Sequence, residues 1–240
     1  MNYIRRALFG LFAAPALAGP SFAECRQALA LGLDVSGSVD LREYRLQLDG
    51  LVSALNDPDV THAILAMPNA PVMLMVFEWS GRDDQAILVP WTSLVDDAAL
   101  LDVSNALADT TRRAATPGTA LGTAMQYGAA QLDEKGACWK RTLDISGDGP
   151  SNLGPRPRDI KEAIGARGIT INALVIGSAA VPADSQRQIG IDALASYFAA
   201  EVITGPDAFV QMARGFDDYG AAMTAKLKRE IEGMTIGALQ

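Results

Sequence analysis

The chain has 240 residues, 49% of them hydrophobic, with a formal net charge of −8 and a pI near 4.7. That length suits one fairly large domain or at most two small ones, and so much apolar content fills a core without a disulfide framework. The acidic balance lacks the electrostatic footprint of a nucleic-acid binder, and it offers no polybasic face to anionic lipid.

At the start, Arg5 and Arg6 precede an apolar stretch over residues 7–18, and Ser21-Phe22-Ala23 supplies the small residues that a signal peptidase reads. We expect a secretory signal peptide over residues 1–23 and a single domain over 24–240, periplasmic or secreted. A transmembrane anchor fits poorly because the run is short and broken by Gly10 and Pro15. No membrane insertion is therefore expected after cleavage. Glu24 stands before Cys25 where a lipoprotein needs a small residue, whereas the arginine pair leaves twin-arginine export open. Cleavage removes two arginines and no acids, bringing the net charge to −10.

Cys25 and Cys138 are the only cysteines. In an oxidising compartment an even count makes a disulfide the default, with two free thiols as the alternative. Cys25 lies nine residues before Asp34 and Cys138 ten before Asp148. If strands ending at those aspartates are parallel neighbours, the cysteines sit at similar depth at the opposite end of the sheet.

Leu29 to Leu33 form an apolar run that reads as a buried strand of a parallel sheet, ending in Asp34, Ser36 and Ser38. Leu41, Tyr44, Leu48, Leu51 and Leu55 recur at helical spacing, predicting a helix over 40–56 that Asp57-Pro58 stops. Val60, Ile64 and Met67 suggest a short helical turn. Residues 72–77, nearly all apolar, predict a central strand, with Met73 and Met75 as core packing. Turn residues over 80–84 lead to another strand over 86–89, and so short a connection requires an antiparallel pair.

Alanine and leucine dominate a helix over 96–109, and Arg112 to Gly118 read as a loop before a helix that starts at Thr119. A strand over 140–146 stops at Gly147-Asp148-Gly149. A helix over 158–167 and a strong strand over 169–176 follow. The remainder predicts a helix over 185–200, a short strand near Val202-Ile203, and a closing amphipathic helix over 216–231. Strands alternating with helices define an α/β fold: a Rossmann-like, doubly wound, mostly parallel sheet with one antiparallel edge strand.

In open sheets of this kind, ligands bind outside the carboxyl ends of the strands. Asp34, Ser36 and Ser38 lie at one such end, Asp148 lies at another, and Thr119 directly precedes a helix. Two carboxylates and three hydroxyls are all hard oxygen donors. The set suits Mg²⁺ or Mn²⁺ and argues against zinc or copper. The loop taken alone is also open to a simpler reading, as a helix cap.

Asp-x-Ser-x-Ser after an apolar strand, a distant Thr, and Asp-Gly after a later strand resemble the metal-ion-dependent adhesion site (MIDAS) of von Willebrand factor A domains. The resemblance spans essentially the whole chain after residue 23. It is strongest to an exported bacterial family, domain of unknown function 1194, through Asp34 to Asp40, Glu78-Trp79, Val89 to Trp91, Asp144 to Asn152, Thr170 to Asn172 and Lys226 to Ile231. The resemblance implies Ser36, Ser38 and Thr119 as hydroxyl ligands, with Asp34 and Asp148 supplying charge. It also implies a protein partner whose carboxylate completes the coordination. Two departures stand out. Gly147 precedes Asp148 where Thr is usual, and Asp144 places a carboxylate inside a strand, which we expect to be a buried structural acid.

Competing chemistry finds less support. Asp144 to Gly149 imitate the start of an EF-hand loop, but Pro155 stands where its bidentate Glu belongs. A dehalogenase-type phosphatase needs a second carboxylate at the place of Ser36. His62, the only histidine, falls in a helix away from these loops, and Trp79 and Trp91 read as packing residues. We therefore expect a binding protein rather than an enzyme. A metal-assisted hydrolase using the same site and an assembly subunit with an empty site are the alternatives.

Overall fold

A computed structural model of the chain describes residues 25–177 and 185–237; the expected signal peptide lies outside them. Among the described residues one sheet holds β1 (Gln27–Asp34), β2 (Val72–Trp79), β3 (Gln85–Leu94), β4 (Lys140–Gly147), β5 (Ile169–Ile176) and β6 (Val210–Ala213). Their spatial order is β3-β2-β1-β4-β5-β6, with every pair parallel except β2 and β3. One face is covered by α1 (Leu41–Leu55), α2 (Pro58–Leu65), α3 (Asp97–Asp109) and α7 (Tyr219–Gly237). The other is covered by α4 (Leu121–Asp133), α5 (Pro157–Gly165) and α6 (Ser185–Glu201). This is the doubly wound α/β architecture that the alternation of elements predicts.

All eight residues of β1 are buried, because helices cover both faces of the strand. Leu29, Leu31 and Leu33 pack under α1 and α7, while Ala28 and Ala30 face α4. Gly32 continues that small-residue side. A Cβ there would stand 2.7 Å from Phe77 Cζ and 2.9 Å from Ile145 Cδ1, so the neighbouring strands close over it. Met75 is fully buried and Met73 packs against the same cluster, as expected of core methionines. Trp79 is fully buried, and Trp91 lies partly buried with Lys135 Nζ 5.5 Å from its ring centre.

One predicted element is corrected. Val202 and Ile203 are not a strand; α6 runs to Glu201 and both residues pack into the α4-side core. Two β-branched residues read as strand by propensity, but tertiary packing overrides a two-residue preference. The chain makes only an isolated antiparallel bridge from Thr204 to Ile171, and the edge strand forms later, at β6. Several boundaries also move, the closing helix among them, which begins at Tyr219 after a single tight turn over Phe216–Asp218. The β3 edge strand extends to Leu94, and α4 begins at Leu121 because the backbone of Thr119 bonds to a neighbouring loop instead.

Asp40 caps α1, accepting from Glu43 N at 2.8 Å while Glu43 Oε2 accepts from Asp40 N at 2.9 Å. This reciprocal capping box starts the helix immediately after the Asp34–Ser38 loop. At the other end of the sheet Cys25 and Cys138 form a disulfide, with Cα atoms 4.6 Å apart. Parallel pairing of β1 with β4, Gln27 opposite Lys140, brings them together, and Trp139 N donates to Cys25 O at 3.1 Å.

Asp144 is a buried structural acid, as expected. Lys226 Nζ, on α7 and fully buried, lies 2.5 Å from Asp144 Oδ2 and 2.7 Å from Glu230 Oε1. Asn172 Nδ2 donates to Glu230 Oε1 at 2.6 Å, and Asn172 Oδ1 accepts from Phe209 N at 3.1 Å. Two carboxylates share one ammonium here. Burial first, and then the charge of Glu230, push the Asp144 carboxyl upward, against the opposing pull of Lys226.

Candidate metal centre

β1 delivers Asp34 to the carboxyl edge of the sheet, where it is fully buried. The chain then leaves the strand with Val35 N donating to Trp79 O at 2.9 Å. Asp34 Oδ1 accepts from Ser36 N at 2.8 Å, whereas Asp34 Oδ2 has no hydrogen-bond partner among the described residues. Gln47 Nε2, on α1, donates to Asp34 O at 2.9 Å.

The hydroxyls complete a line between loops. Ser36 Oγ and Ser38 Oγ are 3.2 Å apart, and Ser38 Oγ donates to Asp148 Oδ1 at 2.8 Å. Thr119 arrives from a third segment. Its N donates to Asn152 Oδ1 at 2.9 Å, and its carbonyl accepts from Asn152 N at 2.9 Å and Leu153 N at 3.3 Å. The stretch before it is docked as well, since Gly37 N donates to Pro117 O at 3.0 Å. Gly37 and Gly118 permit this closeness. Added Cβ atoms would meet Pro117 Cβ at 2.7 Å and Leu153 Cδ1 at 2.1 Å respectively. The loops bearing Asp34, Ser36 and Ser38, Thr119, and Asp148 are thus tied into one surface.

Gly147, the departure noted before Asp148, also has a structural reason. A Cβ there would sit 3.1 Å from Phe198 Cζ and 3.6 Å from Asp34 Oδ2, so α6 and the buried carboxylate leave little space.

Electrostatics set the chemistry. Burial foremost, and then the charge of Asp148, raise the Asp34 carboxyl to about 7, partly opposed by hydrogen bonds from Ser36. Burial raises Asp148 too, against the hydroxyl of Ser38. A fully buried carboxylate beside a half-buried one, with no basic partner in hydrogen-bonding reach among the described residues, is costly to ionise together with it. A cation bound between them would remove that cost. The orphaned Asp34 Oδ2 and the hard oxygen donors fit such an ion. Among the described residues no three His, Cys, Asp or Glu side chains cluster as a metal site.

Sequence reading missed the residues that hold these loops. Gln47 occupies a buried position on α1 between Tyr44 and Leu48, and Asn152 clamps Thr119. The signal for Gln47 is an amide on an otherwise apolar helix face. His62 lies on α2 beside a surface groove lined by Asn56, Thr61 and Leu65.

The fold is von Willebrand factor A-like, and solved structures share it. Proximal thread matrix protein 1 of the mussel byssus aligns with a TM-score of 0.57 at 17% identity, covering 87% of this chain and 48% of that one. The pilus adhesin SpaC of Lactobacillus rhamnosus GG aligns at 0.58 and 12% identity, covering 87% and 31%. A von Willebrand factor type A structure from Catenulispora acidiphila aligns at 0.51 and 14%, covering 86% and 42%. The chain thus spans less than half the length of these proteins. Comparison with curated proteins gave no match. The chain belongs to DUF1194, a family of proteins of unknown function, whose model matches residues 24–235.

Proposed function

We propose that this protein is exported and binds a protein partner through a divalent cation, Mg²⁺ or Mn²⁺, held by Asp34, Ser36, Ser38, Thr119 and Asp148. The observation carrying this reading is the line Ser36 Oγ, Ser38 Oγ, Asp148 Oδ1, which joins loops 110 residues apart beside a buried carboxylate oxygen without a partner among the described residues. When bound, the cation supplies positive charge and a coordination position for an acidic side chain of the partner.

The chain's own residues set how strongly that acid is attracted. Asp34 and Asp148 contribute two negative charges, and Ser36, Ser38 and Thr119 contribute neutral oxygens. The total balances a divalent ion and leaves it attractive to a further carboxylate; a third acid in the set would repel the partner. Supporting export are the arginine pair and apolar run before Ala23 and a disulfide of the kind that persists in oxidising compartments.

A further structure of the mussel protein has a zinc-occupied MIDAS motif, which weakens the expectation against zinc. The test is calorimetric titration of residues 24–240 with Mg²⁺, Mn²⁺ and Zn²⁺. Binding of Mg²⁺ or Mn²⁺ that falls at least tenfold in Asp34→Ala supports the reading. No binding, or equal binding by the variant, overturns it. Capture from the exported proteome with and without chelator then tests the partner.

A further inference from the structure

Arg112 sits outside the proposed ligand set, in the loop between α3 and α4, yet its guanidinium reaches the backbone of the ligand loop at three points. Nη2 donates to Val35 O at 3.2 Å and to Ser36 O at 3.3 Å, and Nη1 donates to Val39 O. The group also lies 5.8 Å from the ring centre of Tyr44. Its backbone is fixed by the next residue. Arg113 Nε pairs with Glu78, which is buried, and Arg113 Nη1 lies 3.3 Å from Asp84 Oδ1. Tyr44 OH closes the frame by donating to Glu78 Oε2 at 3.0 Å.

Taken with Gln47 on Asp34 O, these bonds occupy the carbonyls of Asp34, Val35, Ser36 and Val39. The N–H groups of Val35, Ser36, Gly37 and Val39 are likewise taken, by Trp79 O, Asp34 Oδ1, Pro117 O and Ser36 O. A short loop between strand and helix could turn its carbonyls toward a cation, because carbonyl oxygen is a good ligand for hard ions. Here a planar fork of donors engages three of those carbonyls, a geometry that one guanidinium supplies and an ammonium does not.

We propose that Arg112 is a positioning residue for the cation site: by engaging three loop carbonyls it preorganises the loop and reserves coordination for the side chains of Asp34, Ser36 and Ser38. This rests on the metal reading above. Preorganised ligands bind more tightly because the ordering cost is already met, so loss of the fork weakens the ion without removing a ligand.

The fold contains a matched control. Arg45 Nη1 donates to Ala108 O and Thr110 O, both at 3.2 Å, and Nη2 donates to Leu107 O at 3.1 Å. That is also three carbonyls from one guanidinium, but at the end of α3. The experiment titrates Mn²⁺ by calorimetry into residues 24–240 of the unsubstituted chain, Arg112→Gln, Arg112→Lys and Arg45→Gln, with melting temperatures of the cation-free proteins. Expected are at least tenfold weaker binding in Arg112→Gln, at least fivefold in Arg112→Lys, and a change under twofold in Arg45→Gln, whatever its melting temperature. Arg112 variants within twofold of the unsubstituted chain overturn the proposal, and so does equal weakening in Arg45→Gln, which marks a general effect of stability. If Arg112→Gln does not fold, Arg112→Lys is judged by the same limits. Failure of the unsubstituted chain to bind overturns the metal reading itself, and that result is separate because it appears in the first titration.

Discussion

Two buried acids carry the pH dependence. Asp34 is raised to about 7 in the folded protein and Asp144 is raised as well, whereas both would titrate near 4 when unfolded. Between those values the native state holds more protons than the unfolded state, so stability falls as pH rises. The cation-free protein should therefore lose a few kcal/mol between pH 5 and pH 8, on the order of 1.4 kcal/mol for each unit by which a carboxyl is raised. Mg²⁺ affinity should increase across the same interval, because binding requires ionised carboxylates. Urea midpoints at pH 5 and pH 8, with and without Mg²⁺, check both; a midpoint that does not move with pH would show that Asp34 stays charged throughout. Lys226 makes a separate case. Lys226→Met strands Asp144 and Glu230 without their ammonium and should cost about 3–5 kcal/mol. Glu230→Gln should cost less, because one carboxylate then remains for one ammonium.

Among elements, α4 shows how packing sets the site. A Cβ on Gly122 would lie 2.1 Å from the Pro155 carbonyl oxygen, and one on Gly128 would lie 2.4 Å from Leu143 Cδ1. α4 therefore rests directly on β4 and on the loop that follows Asp148. Gly122→Ala should cost about 1–3 kcal/mol by overpacking against backbone and should weaken Mn²⁺ binding by displacing that loop. Gly149→Ala, where an added Cβ meets nothing within 4 Å, should change stability by less than about 0.5 kcal/mol. Chemical denaturation of the two variants tests the contrast. β1 was legible from sequence because a nearly continuous apolar run is what a buried parallel strand requires, and β5, apolar except at Thr170 and Asn172, matches its expected span, Ile169–Ile176. β6 was not legible, because Val210–Ala213 is a four-residue edge strand with only Ala213 fully buried. Asp34, Ser36, Ser38, Thr119 and Asp148 could be listed in advance, since their donor chemistry is local. Arg112 and Gln47 could not, since each acts on carbonyls whose proximity exists only once α1 and the 110–118 loop have docked.

At the scale of the molecule, the sheet has two working ends. β1 and β4 are neighbours that carry Asp34 and Asp148 at or beyond their carboxyl ends, and the disulfide closes their opposite ends across a sequence separation of 113 residues. Closing so long a loop restricts the unfolded chain and contributes on the order of 4 kcal/mol. Replacing both cysteines by alanine should lower the melting temperature by roughly 10 °C. It should leave Mn²⁺ affinity nearly unchanged, since the strand register that spaces the two aspartates is also held by backbone pairing. Calorimetry of both properties on one sample distinguishes this from a bridge on which the site itself depends.

The strand pair that carries both carboxylates is therefore stapled by a bond that a sufficiently strong thiol reductant can open. A chain whose bridge has been reduced would be the same polypeptide with a thinner thermal margin, more often open to proteases. Its resistance to digestion across a series of glutathione ratios should follow the redox potential of the cysteine pair, so that durability becomes a record of where the molecule has been.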